Sequence, residues 1–137
     1  MMTGEQLIQQ FEEGKTPADS FHHLDHIRLA FEYLSRYPAL EALKKFSAAL
    51  KKFAAAQGKA QHYHETITWA YLLLIRERVA RAGGPQTWEE FAEHNRDLLT
   101  WKGGVLATLY RPETLDSDLA RAIFILPDQN SFPPQPS

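Results

Sequence analysis

Helical periodicity runs through this sequence and limits its fold more than any other feature. Apolar residues return every three or four positions, whereas the two-residue alternation typical of half-buried strands is nearly absent. The segment "LKKFSAALKKFAAA" repeats itself after seven residues, which places Leu43, Phe46, Leu50 and Phe53 along one seam of a helix. We therefore predict an all-α protein.

Proline, glycine and capping residues divide the helical pattern into five or six helices. Pro38 ends one helix, Gly58 ends the next, and Thr87 with Glu90 forms a capping box at the start of another. Short connections between helices favour a compact bundle. The predicted helices are 6–12, 16–37, 39–57, from near 61 to about 82, from 87 to near 103, and 117–125.

The length of 137 residues suits one domain with a single hydrophobic core. No change in composition marks a second domain, so we expect residues 1–126 to form one helical unit. The last eleven residues, "PDQNSFPPQPS", are rich in proline and polar side chains. We expect this tail, 127–137, to be disordered.

Composition excludes several classes of function. A net charge of −2 gives no reason to expect nucleic acid or an anionic membrane as a partner. The absence of cysteine excludes disulfides, thiolate nucleophiles and cysteine-type zinc sites. No glycine loop typical of nucleotide cofactors is present, and the N-terminus does not resemble a signal peptide. We expect a cytoplasmic protein.

Five of the six histidines fall in two short stretches, "FHHLDHIRLAF" (21–31) and "HYHETIT" (62–68). At about 100° per residue, His23 projects from the second helix toward the core, and His26 lies at the edge of the same apolar stripe. On the fourth helix, His64 shares the inward stripe with residues such as Tyr71. Two helices therefore each offer imidazoles to the interior.

Three core-facing imidazoles predict a metal site, because neutral imidazoles satisfy their lone pairs together when they converge on a cation. We predict that His23, His26 and His64 bind a divalent transition metal between the second and fourth helices, with His22 and His62 less favoured. Zinc suits three imidazoles and a water, whereas iron or nickel suits an added carboxylate. An open position would permit hydrolysis or oxidation of an unknown small molecule.

Glu65 is a candidate base beside this site. "HETIT" begins like the zinc-protease motif H-E-x-x-H, but Thr68 stands where the second histidine is required, so a metalloprotease has little support. Glu65 could act as a base or orient a ligand histidine by accepting its hydrogen bond. It is equally well explained as a favourable charge in the first turn of a helix.

A second interpretation needs no metal. Single histidines on apolar stripes are more often hydrogen-bonded core residues than ligands, because burying a neutral imidazole with one partner is tolerable. The chain would then be a non-catalytic interaction or structural module, for example a homodimer. Fold class does not separate this interpretation from an enzyme, because helical bundles include both.

The motifs F-x-H-x-[Asp or Glu]-H and Y-H-E-T-I-T resemble those of a family of small, uncharacterised, all-helical bacterial proteins. The resemblance covers about 21–127, most of the chain. It implies no reaction, but it favours His23, His26 and His64 over the other histidines. The residues that it marks are Phe21, His23, Asp25, His26, Tyr63, His64, Glu65, Thr66 and Thr68.

Overall fold

Eight α-helices form the architecture of the described residues, 2–101 and 104–129 of a computed structural model. No strand occurs in these ranges, so the all-α prediction is confirmed. The first five helices have seven or more residues and the last three have four or five. Their bounds are α1 Gly4–Glu12, α2 His23–Arg36, α3 Ala39–Ala56, α4 Glu65–Arg81, α5 Trp88–His94, α6 Leu106–Leu109, α7 Pro112–Leu115 and α8 Asp118–Ala122.

Helix α2 lies at the centre of the core, where it packs against α1, α3, α4 and α5. Its buried face includes Ile27, Phe31 and Tyr33. The predicted seam of α3 faces the same core: Leu43, Phe46 and Leu50 are buried, and Phe53 is half-buried against them. Burial of these large apolar side chains is the main stabilising contribution to the bundle.

Helices α2 and α4 begin later than the sequence predicts, and each follows a short 3-10 turn. The first turn, Ala18–Ser20, comes directly after Pro17, and the second, Ala60–His62, follows the end of α3. At the start of α2, the backbone N–H of His22 donates to Oδ2 of Asp25 at 2.9 Å. At the start of α4, His64 is the capping residue. The predicted starts near Thr16 and Gln61 are therefore wrong, because both helices begin where a side chain can cap their first turn.

Other predicted boundaries agree with the structure. The capping box at α5 is present: the Glu90 N–H donates to Oγ1 of Thr87 at 3.1 Å, and the Thr87 N–H donates to Oε1 of Glu90 at 3.0 Å. However, α5 ends at His94, and Arg96–Leu98 forms a separate 3-10 turn instead of continuing the helix.

Residues 124–129 pack back onto the bundle. Trp69 on α4 stacks against Phe124, with ring centroids 5.0 Å apart. The backbone N–H groups of Asp128 and Gln129 donate to the Leu109 carbonyl at 3.1 and 2.9 Å. The remainder of the predicted disordered tail, 130–137, lies outside the described residues. Within the described part of the chain, no helix is both long and apolar enough to span a bilayer.

Candidate ligand-binding cavity

A cavity of about 310 Å³ lies between α2, α3, α4 and the turn that joins α3 to α4. This volume is at the lower end of the range typical of small-molecule sites. Most of its wall is apolar, and no acidic side chain lines it. The lining residues are Ala18, His26, Ile27, Phe46, Leu50, Phe53, Ala54, Gln57, Lys59, His62, Tyr63, His64, Ile67, Thr68 and Tyr71.

The cavity has a buried end and an exposed mouth. Phe46, Leu50, Thr68 and Tyr71 are buried. The exposed lining residues come from the turn before α2 and from the connection between α3 and α4: Ala18, Gln57, Lys59 and His62. A ligand would therefore place its apolar part among the helices and its outer end beside the α3–α4 connection.

His26 contributes a neutral imidazole to the cavity wall. The ring packs against Phe21, with centroids 4.5 Å apart, and makes no side-chain hydrogen bond among the described residues. The pKa of His26 is lowered to about 4, chiefly by burial and also by the neighbouring His23, whereas Asp25 acts to raise it. At neutral pH the ring therefore carries one N–H donor and one acceptor nitrogen, both without a protein partner in the described structure.

Tyr71 also lines this cavity, and its hydroxyl is buried. The residue is only 5% exposed, and its oxygen has no hydrogen-bond partner among the described residues. Burial raises the pKa of Tyr71 to about 12, so the phenol remains protonated at neutral pH. A buried, unpaired hydroxyl is costly, which makes Tyr71 a candidate for hydrogen bonding to a bound molecule.

His64 uses both of its ring nitrogens within the protein. Nδ1 accepts the backbone N–H of Ile67 at 3.1 Å, which caps the first turn of α4. Nε2 is therefore the protonated nitrogen, and it donates to the Leu115 carbonyl at 2.7 Å. The pKa of His64 is lowered chiefly by burial. These two bonds fix the start of α4 and join it to α7.

His23 is the first residue of α2 and lies outside the cavity wall. Its Nε2 donates to the Leu98 carbonyl at 2.8 Å, and its ring meets Tyr71 edge-on, with centroids 5.0 Å apart. Burial lowers the pKa of His23. The imidazole therefore packs against the Tyr71 ring, and its hydrogen bond to Leu98 joins α2 to the 3-10 turn after α5.

Glu65 also lies outside the cavity wall, where its carboxylate joins α3 to α4. Oε1 accepts from the Tyr63 hydroxyl at 2.6 Å and from Nε1 of Trp69 at 3.1 Å. The Ser47 hydroxyl lies 3.4 Å from the same oxygen, and Nζ of Lys51 lies 3.9 Å from Oε2. The hydrogen bond from Tyr63 places its ring beside the cavity.

The predicted histidine ligands thus occupy different environments. His26 and His64 line one cavity, His23 lies behind Tyr71, His62 lies at the exposed mouth, and His22 is exposed before α2. Across residues 2–101 and 104–129, no group of three or more histidine, aspartate or glutamate side chains is arranged to hold a metal ion. Two polar groups of the cavity were not predicted as functional from the sequence: the Tyr71 hydroxyl and the Lys59 ammonium. No motif in the sequence marks either residue.

Two further depressions are present in the described structure. One, between the end of α4 and α5, is lined by charged residues, including Arg78 and Glu90. The other shares His64, Ile67 and Tyr71 with the cavity described above, and the rest of its mostly apolar wall comes from Trp101 and from residues between 104 and 121.

Comparisons with known proteins leave the family resemblance a prediction. No protein-family model matches the chain, and neither the curated proteins nor the solved structures give a significant match.

Proposed function

We propose that this protein binds a small, mostly apolar molecule in the cavity between α2, α3 and α4. The observation that carries the proposal is the combination of an apolar cavity with two polar groups that lack protein partners, His26 and the Tyr71 hydroxyl. Small-molecule sites commonly combine an apolar wall with a few polar groups that orient the ligand.

The protonation states define the polar group that the ligand should carry at its buried end. Neutral His26 offers one donor and one acceptor, and the Tyr71 phenol offers a donor. A hydroxyl, carbonyl or ether oxygen matches these groups without bringing a charge into the bundle. Burying an unpaired charge there would be costly.

Filling the cavity tests the proposal. Ala54 lines the cavity from α3 and is half-buried, whereas Ala55 is exposed on the same helix and does not line it. We expect 1-octanol to bind the wild-type chain with one saturable site in isothermal titration calorimetry. Ala54→Phe should weaken this binding by about tenfold or more, because the ring occupies the ligand's volume and overpacking is unfavourable.

Ala55→Phe is the matched control and should bind 1-octanol like the wild type. Ala54→Leu should give a smaller effect in the same direction, which covers the case in which Ala54→Phe unfolds. Absence of saturable binding to the wild type, or equal binding by the Ala54 and Ala55 variants, would show that the cavity is not a ligand site.

The three-histidine metal site stays a prediction beside this proposal. His26 has a free imidazole nitrogen for a metal, but His64 would have to release either the Leu115 carbonyl or the Ile67 N–H first. Metal analysis of the purified protein tests it directly.

A further inference from the structure

We infer that the ligand of this cavity ends in an anionic group, and that Lys59 binds this group at the mouth. The inference rests on the proposed function, because it assigns a chemical class to the molecule that the cavity holds. It identifies that molecule as an apolar chain or ring system that carries the neutral oxygen at its buried end and one terminal carboxylate, or a comparable anion, at its outer end.

The charge of the cavity wall favours an anionic ligand. Among its fifteen lining residues, Lys59 is the only lysine or arginine, and none is acidic. Two carboxylates of the adjoining helices have other partners: Asp25 accepts the His22 N–H, and Glu65 accepts from Tyr63 and Trp69. A molecule entering the mouth therefore meets a cation and no acidic side chain in the wall.

Lys59 forms no ion pair with another side chain in the described structure. Seven ion pairs are formed among residues 2–101 and 104–129, and Lys59 takes part in none of them. By contrast, Lys51 lies near Glu65, and Lys52 donates to the Glu12 carbonyl at 2.7 Å. The Lys59 ammonium is therefore available to a ligand without breaking an ion pair in the described structure.

Backbone hydrogen bonds hold Lys59 at the mouth of the cavity. Gly58 has a φ of +68°, a conformation that favours glycine, and it ends α3 so that the chain reverses. The Lys59 N–H then donates to the Ala54 carbonyl at 2.8 Å, and the Lys59 carbonyl accepts the His62 N–H at 2.8 Å. Two hydrogen bonds thus fix the Lys59 backbone beside the cavity.

The difference between the two ends of the cavity predicts how the ligand is oriented. His26 and Tyr71 line the cavity from α2 and α4, whereas Lys59 is at the exposed mouth. A carboxylate keeps part of its hydration at the mouth and would lose it inside the bundle. The apolar part should therefore enter first and the anion should remain beside Lys59.

Octanoate and its uncharged methyl ester test the inference, because they share one hydrocarbon chain. At about pH 7, octanoate is ionised, since carboxylic acids titrate near pH ~4. We expect calorimetry on the full chain to show octanoate binding about fivefold more tightly than methyl octanoate, the upper range for an exposed ion pair. Lys59→Gln should bring the two affinities together without weakening the ester, and added salt should reduce the preference.

Lys44→Gln is the matched control, because Lys44 is exposed on α3 and does not line the cavity. This variant should keep the preference for octanoate. Equal affinities in the wild type, with the ester still bound, would refute the anion site and leave the cavity proposal standing. A preference that survives in Lys59→Gln but is lost in His26→Phe would place the carboxylate at the buried end and overturn the inference. If neither probe binds, the cavity proposal itself fails.

Discussion

Acidification should destabilise this protein through His26, and the size of the effect follows from its environment. The pKa of His26 is about 4 in the folded chain, against an ordinary value of 6.5. Burial is the main cause, with a smaller contribution from the neighbouring His23. Between these two pH values the unfolded chain binds a proton that the folded chain excludes. Stability is therefore complete above about pH 6.5 and falls as the pH decreases toward 4.

The loss can be worked out from the two pKa values. Each pH unit within the window removes about 1.4 kcal/mol, so about 2–3 kcal/mol of unfolding free energy is lost by pH ~4.5. Urea denaturation followed by far-UV circular dichroism at about pH 8 and about pH 4.5 measures it. The variant for comparison is His26→Phe, which keeps an aromatic ring beside Phe21 but has no proton to bind.

His26→Phe should lose about 2–3 kcal/mol less unfolding free energy than the wild type between these two pH values. Other titrating groups act in both proteins, including the carboxyls and the buried His23 and His64, so their contributions largely cancel in the comparison. His94→Gln removes an exposed histidine and should behave like the wild type. An equal loss in His26→Phe and the wild type would show that His26 is not held neutral, and the argument about its role in the cavity would fail.

Two other predictions concern the cavity and the histidines. Tyr71→Phe should raise the unfolding free energy by about 1 kcal/mol in the absence of ligand, because it removes a buried hydroxyl without a partner; destabilisation in urea titration would mean that the hydroxyl is already satisfied. The three-histidine site predicts close to one transition metal per chain in protein never exposed to a nickel column; trace metal with no uptake on reconstitution would refute it. If His64 is a ligand, His64→Ala should lower the melting temperature much less after chelator treatment than before it. An equal decrease would assign His64 to capping α4 and bonding Leu115.

The helical class and the capping box at Thr87 follow from local sequence signals, and the structure agrees with both. The starts of α2 and α4 do not follow from the same signals. Pro17 is a favourable first residue of a helix, but in the structure it precedes a 3-10 turn, and α2 begins at His23. Periodicity describes which residues share a face once a helix exists. It says less about where the chain begins to wind, which also depends on the groups that cap the first turn.

The inward stripe of α4 was predictable, and the hydrogen bonds of its residues were not. His64, Ile67, Thr68 and Tyr71 line one cavity, as their spacing predicts. The role of His64 depends on the Leu115 carbonyl, 51 positions away in the chain. No spacing rule within one helix relates these two residues, because they belong to distant segments that meet only in the folded chain.

The three predicted histidine ligands have two different roles in the structure. His64 and His23 each donate Nε2–H to a backbone carbonyl from another part of the chain, and each bond holds a helix start against a later segment. His26 lies one turn further into α2, where it packs against the Phe21 ring and no carbonyl accepts from it in the described structure. Its nitrogens therefore remain available to a molecule in the cavity, whereas the other two imidazoles would have to give up structural bonds to reach one. Of His23, His26 and His64, His26 is the one for which binding a ligand breaks no hydrogen bond in the described structure.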